Sequence, residues 1–178
     1  MEQTLVIIKP DAVERNLIGE ILARFERAGL SPVNIQLRRA SQDLLAQHYP
    51  NDNEWLGSVG QKTLDDYKNQ GLDPASILGT DDAIEIGKMV KSWLVDFMAS
   101  GNIVVMVLEG NRAVQSVRKI VGGTLPVDAA PGTIRGDYST DSPDIANRER
   151  RPVKNLIHAS GDPEEADREV GLWFPENG

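Results

Sequence analysis

One short stretch, NLIHAS at residues 155–160, combines the pattern of a buried strand with side chains that can do chemistry. His158 is one of two histidines in the 178-residue chain, and it follows the apolar pair Leu156 and Ile157. The pattern predicts a strand that ends near His158, and side chains at strand ends often belong to binding or catalytic sites. An unprotonated imidazole in such a place can act as a nucleophile.

A helix is predicted directly after this strand, since Asp162 suits an N-cap and Pro163 suits the first helical position. Glu169 lies about two turns into this helix. A helix that folds back beside the strand brings the Glu169 carboxylate to the imidazole of His158. There it fixes the tautomer and leaves the other ring nitrogen free to attack. The hydroxyl of Ser160 can join the same hydrogen-bond chain.

Two further segments supply positive charge: IIKPD puts Lys9 at a strand end, and PGTIRGD puts Arg135 in a glycine-flanked turn. A guanidinium can bind two phosphate oxygens at once, so these residues suit an anionic substrate. Each residue also has a purely structural explanation. Lys9 is then a solvated strand end, and Arg135 is the ion-pair partner of Asp137. His158 is then a structural residue, and Glu169 is a surface charge of its helix.

Composition limits the classes of function. The net charge of −8 and the pI of about 4.8 disfavour nucleic-acid binding but allow a local positive pocket for a small anion. The absence of cysteine excludes disulfides, thiolate metal sites and thiol catalysis. No apolar run is long enough to cross a bilayer, and the N-terminal residues lack a signal-peptide pattern. We therefore expect a cytoplasmic protein without membrane partners.

The hydrophobic pattern predicts four strands with helices between them. Residues 4–8 and 103–110 are typical of buried strands, residues 33–37 alternate as in a half-buried strand, and the fourth strand ends at His158. This order predicts an α/β chain of the α+β sandwich class, with a ferredoxin-like βαββαβ arrangement and an antiparallel four-stranded sheet. The apolar face of the half-buried strand carries Val33, Ile35 and Leu37.

Two segments lack a clear periodic pattern. Residues 51–85 are polar and glycine-rich with weak helical hints, and we expect a long loop or a small subdomain there. Residues 124–151 are rich in Gly, Pro, Asp and Arg, and we expect an irregular segment. Both are expected to belong to a single domain that spans residues 1–178.

Five stretches carry a specific resemblance. They are IIKPDAVERNLIGEILARFERAGL, AQHY, MASGNIVVMVLEG, VRKIVGGTLPVDAAPGTIRGD and NLIHASGDPEEADREVGLWF. In this order they make the sequence closely resemble the nucleoside diphosphate kinase family. The resemblance covers the chain apart from two inserted loop segments, at about 51–85 and 140–151.

The resemblance implies a ping-pong transfer of a phosphoryl group from a nucleoside triphosphate to a nucleoside diphosphate, through a phosphohistidine at His158. It implies Mg²⁺ as a cofactor that the nucleotide phosphates hold, without protein side chains as ligands. It implies low base specificity, and a homo-oligomer that is a hexamer or a tetramer of dimers. By position, Glu169 and Ser160 orient His158; Lys9, Tyr49, Arg118, Thr124 and Arg135 hold phosphates; Asn155 and Lys9 reach the ribose; and Val90 and Leu94 contact the base.

The sequence departs from the usual family pattern in several places. Ala159 follows the histidine where the family commonly has glycine, and Val90 stands where the base platform is often phenylalanine. Residues 51–85 are expected to form a lid or to change access to the site. Three arginines of the other insertion either reach the nucleotide or a neighbouring subunit, or are solvated; they are Arg148, Arg150 and Arg151.

Two other classes of function compete with the kinase. The first is a nucleotide-binding or interaction module on the same fold, in which the insertions form partner surfaces. The second is a serine hydrolase that uses Ser160 and His158, although the sequence around Ser160 has no nucleophile elbow.

Overall fold

The computed structural model describes residues 1–175, and an antiparallel four-stranded sheet forms the centre of the fold. Its strands are β1 (Glu2–Ile8), β2 (Ser31–Arg38), β3 (Ile103–Gly110) and β4 (Ile157–Ala159). The spatial order is β2-β3-β1-β4, and each neighbouring pair is antiparallel. The predicted ferredoxin-like α+β fold is confirmed by this topology.

Helices cover both faces of the sheet. They are α1 (Pro10–Glu14), α2 (Ile18–Arg27), α3 (Gln42–His48), α4 (Asn53–Asn69), α5 (Pro74–Leu78), α6 (Ala83–Ala99), α7 (Ala113–Val121), α8 (Ile134–Tyr138), α9 (Pro143–Arg148) and α10 (Pro163–Trp173). Within residues 1–175, no helix is long and apolar enough to cross a membrane.

The two central strands are apolar along their whole length because both of their faces are buried. In β1, Leu5 and Ile7 belong to a core cluster with residues of α3, α6 and α10. Val6 and Ile8 point to the opposite face and belong to a cluster with residues of α2 and α7. The C-terminal end of β1 and the short strand β4 therefore lie side by side between two packed layers, and Ile7 pairs with His158.

The prediction that β2 buries one apolar face is wrong. The alternating side chains are largely exposed, because β2 is an edge strand and the helices on that side cover the central strands instead. The exposed fractions are 48% for Val33, 45% for Ile35 and 63% for Leu37.

A long loop, the first of the two alternatives expected for residues 51–85, is wrong, because α4 and α5 occupy most of this segment. The face of α4 that packs against α6 contains small or polar residues beside its apolar ones, which weakens the helical pattern; its buried residues are Leu56, Gly60, Thr63, Leu64 and Tyr67. Gly60 and Gly87 allow the two helices to approach closely. A Cβ on Gly60 would lie 1.7 Å from the carbonyl oxygen of Ala83 in α6.

The segment 124–151 is more regular than expected, since it contains a 3₁₀ turn (Pro126–Asp128), α8 and α9. Arg135 consequently lies in α8, whose N-cap is Thr133, and not in an open turn. The sequence pattern did not predict α8, because the adjacent proline and glycines usually indicate loops.

The two expected insertions contact each other. The hydroxyl of Tyr67 in α4 donates a hydrogen bond to the carbonyl of Asn147 in α9 at 2.9 Å. Arg150 donates to the carbonyl of Ile77 at 2.8 Å. Arg151 binds the carboxylate of Asp141 at 2.6 and 3.0 Å. Two of the three insertion arginines therefore hold the insertions in place, and Arg148 is exposed.

We expect Gly60→Ala to lower the free energy of unfolding by about 2 kcal/mol, since over-packing a tight contact costs roughly 1–3 kcal/mol. Gly57→Ala on the same helix is the control, because a Cβ there would lie 3.9 Å from Ile84 in an ordinary contact. The control change should be neutral or stabilise slightly, since alanine is the better helix former. Urea denaturation measures both variants, and equal losses of stability would contradict the close approach of α4 and α6.

Candidate active site

A cavity of about 330 Å³ opens beside the end of β4, and His158 lies in its wall. Its other walls come from the end of β1, from α6 and α7, from the loop after α7 and from α8. The candidate site residues in the lining are Lys9, Leu94, Arg118, Thr124, Arg135, Asn155 and His158. Residues that are far apart in the sequence therefore meet at one place, and this place contains three cations.

The imidazole of His158 is held by a buried carboxylate. Its Nε2 lies 3.0 and 2.9 Å from the two oxygens of Glu169. The hydroxyl of Ser160 donates a hydrogen bond to the same carboxylate at 2.7 Å. The carboxylate reaches this position because α10 begins at the predicted N-cap, where Asp162 accepts the N–H of Glu165, and runs back beside β4. This arrangement fixes Nε2 as the donor and leaves Nδ1 as the other ring nitrogen.

The surroundings favour the neutral form of this histidine. Burial, and then the charge of Lys9, lower the pKa of His158 well below its ordinary value. The exposed fraction of its side chain is 19%, so one part of the ring still reaches the cavity. Burial raises the pKa of Glu169, and His48 and Ser160 oppose this shift. At neutral pH the ring therefore keeps a lone pair for chemistry.

A strained backbone residue precedes the histidine strand. Leu156 has a φ of 71°, in the left-handed region that costs a residue other than glycine roughly 1–2 kcal/mol. Its N–H donates to the carboxylate of Asp11 at 3.1 Å, and its carbonyl accepts the N–H of Lys9 at 2.9 Å. These two bonds fix the chain two residues before His158. Asp11 was not predicted as a site residue, because its only signal in the sequence is its place directly after Pro10.

Lys9 and Asn155 form a pair on the floor of the cavity. The ammonium of Lys9 donates to the side-chain oxygen of Asn155 at 2.7 Å, and the amide of Asn155 donates to the carbonyl of Thr124 at 3.0 Å. Burial, and then the charge of Arg135, lower the pKa of Lys9 to about 8. The ammonium is therefore a strong but poorly solvated cation, which favours the binding of an anion beside it.

Arg135 is largely occupied by the protein itself. Its guanidinium donates to the backbone carbonyls of Asn155 at 3.2 Å, Gly122 at 3.1 Å, Gly123 at 3.2 Å and Ile157 at 2.7 Å. A guanidinium has five N–H donors, so four are used and one is left for a ligand. Arg135 thus connects the loop after α7 to the start of β4. Arg118, in contrast, is exposed in the cavity wall.

Two of the candidate nucleotide-binding residues, Tyr49 and Val90, do not line the cavity. Tyr49 is 9% exposed, and within residues 1–175 its buried hydroxyl has no hydrogen-bond partner. Its ring packs beside His48, at 4.9 Å between centroids. Val90 is half-buried in α6, one helical turn before Leu94, which does line the cavity. The structure therefore places one of the two apolar candidates at the site.

The cavity places three cations beside a held imidazole, an arrangement that suits an enzyme acting on an anionic substrate. Comparison with known proteins gives the class more closely. The family model "Nucleoside diphosphate kinase" matches residues 2–57 and 83–178. The unmatched residues 58–82 lie within the segment 51–85.

Individual proteins agree with the family match. The nucleoside diphosphate kinase of Pyrobaculum aerophilum is 56% identical over 176 residues, which cover 99% of this chain and 96% of the relative. A crystal structure of an NDP kinase from the same organism has a TM-score of 0.97 at 54% identity, and covers 99% of this chain and 97% of that one. A Borrelia burgdorferi nucleoside-diphosphate kinase, solved as a transition-state mimic with vanadate and ADP, has a TM-score of 0.77 at 32% identity, with 99% and 88% coverage. The chain belongs to the nucleoside diphosphate kinase family, and it is an enzyme of the kinase class.

Proposed function

We propose that this enzyme transfers the terminal phosphoryl group of a nucleoside triphosphate to a nucleoside diphosphate, by a ping-pong mechanism through a phosphohistidine at His158. The observation that carries the proposal is the contact between Nε2 of His158 and Glu169. This contact orients the ring and leaves Nδ1 as the nitrogen that can attack phosphorus.

The proposed first step forms a bond from Nδ1 to the terminal phosphorus as the bond to the bridging oxygen breaks. The nucleoside diphosphate leaves with that oxygen. In the second step a terminal oxygen of an acceptor diphosphate attacks the phosphorus, and the bond to Nδ1 breaks. Glu169 accepts the Nε2 hydrogen bond throughout and stabilises the positive charge that develops on the ring.

Positive charge in the cavity supports this chemistry, because phosphoryl transfer depends on positioning and charge neutralisation. Lys9 is buried and lines the same cavity as His158, and Arg118 is exposed in the cavity wall with its donors available to phosphate oxygens. Arg135 offers one remaining N–H. We propose that Lys9 and Arg118 carry most of the phosphate binding and that Thr124 and Asn155 contribute hydrogen bonds. Tyr49 is proposed to contact the phosphates as well, but only if its buried ring moves towards the cavity.

The donor set of the cavity fits Mg²⁺ bound through the nucleotide. Of the residues that the structure describes, those lining the cavity include no Asp or Glu. His48, His158 and Glu169 bring their ligand atoms within 4.8 Å of one another, but the Glu169 oxygens already accept from His158 and Ser160. When bound with the nucleotide, Mg²⁺ neutralises phosphate charge. Arg118 and Lys9 would add their positive charges to this neutralisation.

Low base specificity is part of the proposal. Leu94 lines the cavity, and Val90 lies one turn away on the same helix. Aliphatic side chains contact any base and form no hydrogen bond to its edges, so they do not select among bases. The Borrelia burgdorferi relative was solved with ADP bound, which supports nucleotide binding by this fold.

The alternatives have less support. Ser160 is fully buried and donates its hydroxyl to Glu169, so it is not placed to attack a substrate. A binding module without catalysis does not need a buried carboxylate on a histidine, and the cost of burying Glu169 would then lack a function.

We also propose a homo-oligomer. The edge strand β2 carries three exposed apolar side chains, and unpaired edge strands of this kind are usually covered. A second copy of the chain would bury this stripe. We propose that residues 1–178 form one domain with insertions at about 51–85 and 140–151.

The test of the proposed function is an intact-mass measurement after incubation with ATP and Mg²⁺. We expect one added phosphoryl group that is acid-labile and that GDP removes with formation of GTP. Acid lability separates a phosphohistidine from a phosphoserine. A protein that binds ATP but gains no phosphoryl group would contradict the proposal and favour the binding module.

The pH dependence of kcat/KM should show an alkaline limit set by Lys9. Below about pH 8 its ammonium is charged and binds phosphate; as the pH rises through this value the charge is lost, so kcat/KM falls. The value should stay constant down to about pH 6, because the lowered pKa keeps His158 neutral there. Initial rates from pH 5.5 to 9.5 measure this profile. Lys9→Arg should remove the alkaline limit at a lower overall rate, and a flat wild-type profile to pH 9.5 would contradict the assignment.

A further inference from the structure

The second histidine of the chain lies directly behind the first. His48 is the last residue of α3, and only 2% of it is exposed. Its ring centroid is 4.5 Å from that of His158, with the two planes nearly perpendicular at 82°. Tyr49 and Trp173 enclose the same ring at 4.9 and 5.6 Å, also in edge contacts. His48 is thus the centre of an aromatic cluster that meets β4 and α10.

The orientation of the His48 ring is fixed from α10. The indole N–H of Trp173 donates to Nδ1 of His48 at 3.3 Å. The same Nδ1 lies 3.3 Å from an oxygen of Glu169, so the ring also touches the carboxylate that holds His158. Burial lowers the pKa of His48 to about 3, which keeps the ring neutral. A neutral ring fits this place, because a charged one would compete with His158 for Glu169.

Burial of the His48 ring also costs free energy of folding, because one of its nitrogens lacks a hydrogen-bond partner among the described residues. If Nδ1 accepts from Trp173, the proton of the neutral ring is on Nε2, and within residues 1–175 that nitrogen has no hydrogen-bond partner. An unsatisfied buried donor usually costs about 1–3 kcal/mol. Each such exception in a folded protein calls for an explanation, and a role in catalysis is one of them.

We propose that His48 is a positioning residue for the nucleophile. Its ring packs against the ring of His158 as a wall, and it holds that ring in the orientation in which Nε2 meets Glu169 and Nδ1 faces the cavity. The inference rests on the proposed function for its kinetic consequence. Its structural part does not, because it concerns the orientation of a ring.

Glu169, held by Ser160, defines where Nε2 lies, and the ring keeps only the freedom to tilt about the line from its Cβ to Nε2. The perpendicular ring of His48 removes this freedom on the buried side. A misplacement of about 1 Å at a reacting atom can cost roughly a hundredfold in rate. The wall therefore acts on the rate of phosphorylation and not on nucleotide binding.

Two substitutions separate the contribution of the His48 ring from that of its nitrogen atoms. His48→Asn keeps a polar group near the place of Nδ1 and removes the wall. His48→Phe keeps a wall of similar shape and removes both nitrogens. We expect the rate of His158 phosphorylation by ATP to fall about 10–100-fold in His48→Asn and to stay within about fivefold of wild type in His48→Phe. The KM for ATP should change less than about threefold in both.

A spectroscopic measurement tests the orientation directly. In either variant His158 is the only histidine left, so ¹⁵N–¹H long-range correlation spectra report its tautomer without assignment. We expect wild type and His48→Phe to show a single tautomer with the proton on Nε2, and His48→Asn to show a mixture. Trp173→Phe, which removes the N–H anchor and leaves both histidines in place, gives a third comparison with an expected smaller loss of rate.

The outcomes are distinct. A His48→Asn protein with the wild-type rate and a single His158 tautomer overturns the proposal. So does a His48→Phe protein that loses as much rate as His48→Asn while its spectrum stays unchanged, because the ring would then have only a structural role. If wild type itself gains no phosphoryl group, the proposed function fails, and the tautomer comparison still decides whether His48 positions His158.

Discussion

Replacement of His158 by alanine should abolish phosphoryl uptake and lower nucleotide exchange on the order of 10⁴-fold or more. The substitution removes Nδ1, which is the nitrogen free to attack, while the cations that bind phosphate are retained. Nucleotide affinity should therefore change little. Intact mass after incubation with ATP and Mg²⁺ measures the uptake, coupled turnover of ATP and GDP measures the exchange, and calorimetry with ADP measures the binding.

His158→Gln is the matched control for the fold. The alanine variant leaves the buried carboxylate of Glu169 without its imidazole donor, although Ser160 still donates to it, and the loss of one donor to a buried charged group costs about 1.5–3 kcal/mol. Glutamine has an amide nitrogen at about the reach of Nε2, so it can donate to Glu169, but it is not a nucleophile. We expect the glutamine variant to melt close to wild type and to be as inactive as the alanine variant. A phosphoryl group on either variant would place the nucleophile on another residue.

The sequence predicts those parts of the site that depend on local pattern. The strand that ends at His158, the N-cap at Asp162 and the two turns of helix that follow all have local signals, and together they place Glu169 beside the imidazole. The central strands were also predictable, because continuous apolar runs are typical of strands buried on both faces.

The parts that escape prediction depend on the approach of distant segments. Gly60 in α4 resembles a loop residue until α6 is seen against it. Val33, Ile35 and Leu37 alternate like a buried face, but the strand is at the edge of the sheet. His48 is close to His158 only because the C-terminal end of α3 packs beside β4. Such contacts need the tertiary structure, since no periodicity within one element encodes them.

The two arginines of the cavity are expected to respond differently to the same change. Arg135→Lys should lower the free energy of unfolding by about 3 kcal/mol, because several buried backbone carbonyls lose a donor and each such loss costs roughly 1–3 kcal/mol, partly offset by the lysine ammonium. The carbonyls belong to Gly122, Gly123, Asn155 and Ile157, which join the loop after α7 to β4. The start of the histidine strand should loosen, so the exchange rate should fall on the order of a hundredfold.

Arg118→Lys keeps the same charge in the wall of the same cavity, and Arg118 is exposed. The substitution should remove only the bidentate hydrogen bonding to phosphate. We therefore expect the nucleotide KM to rise by about tenfold and the stability to change by no more than about 0.5 kcal/mol. Urea denaturation and steady-state kinetics of both variants separate the two roles. If Arg135→Lys raises KM without loss of stability, Arg135 acts mainly on the nucleotide. If both variants lose stability, both arginines hold the fold of the cavity, and the proposed division between a structural arginine and a phosphate-binding arginine is wrong. The carbonyl contacts favour a structural role for Arg135, because a guanidinium with four of its five N–H donors bound to the backbone has one donor left for a substrate.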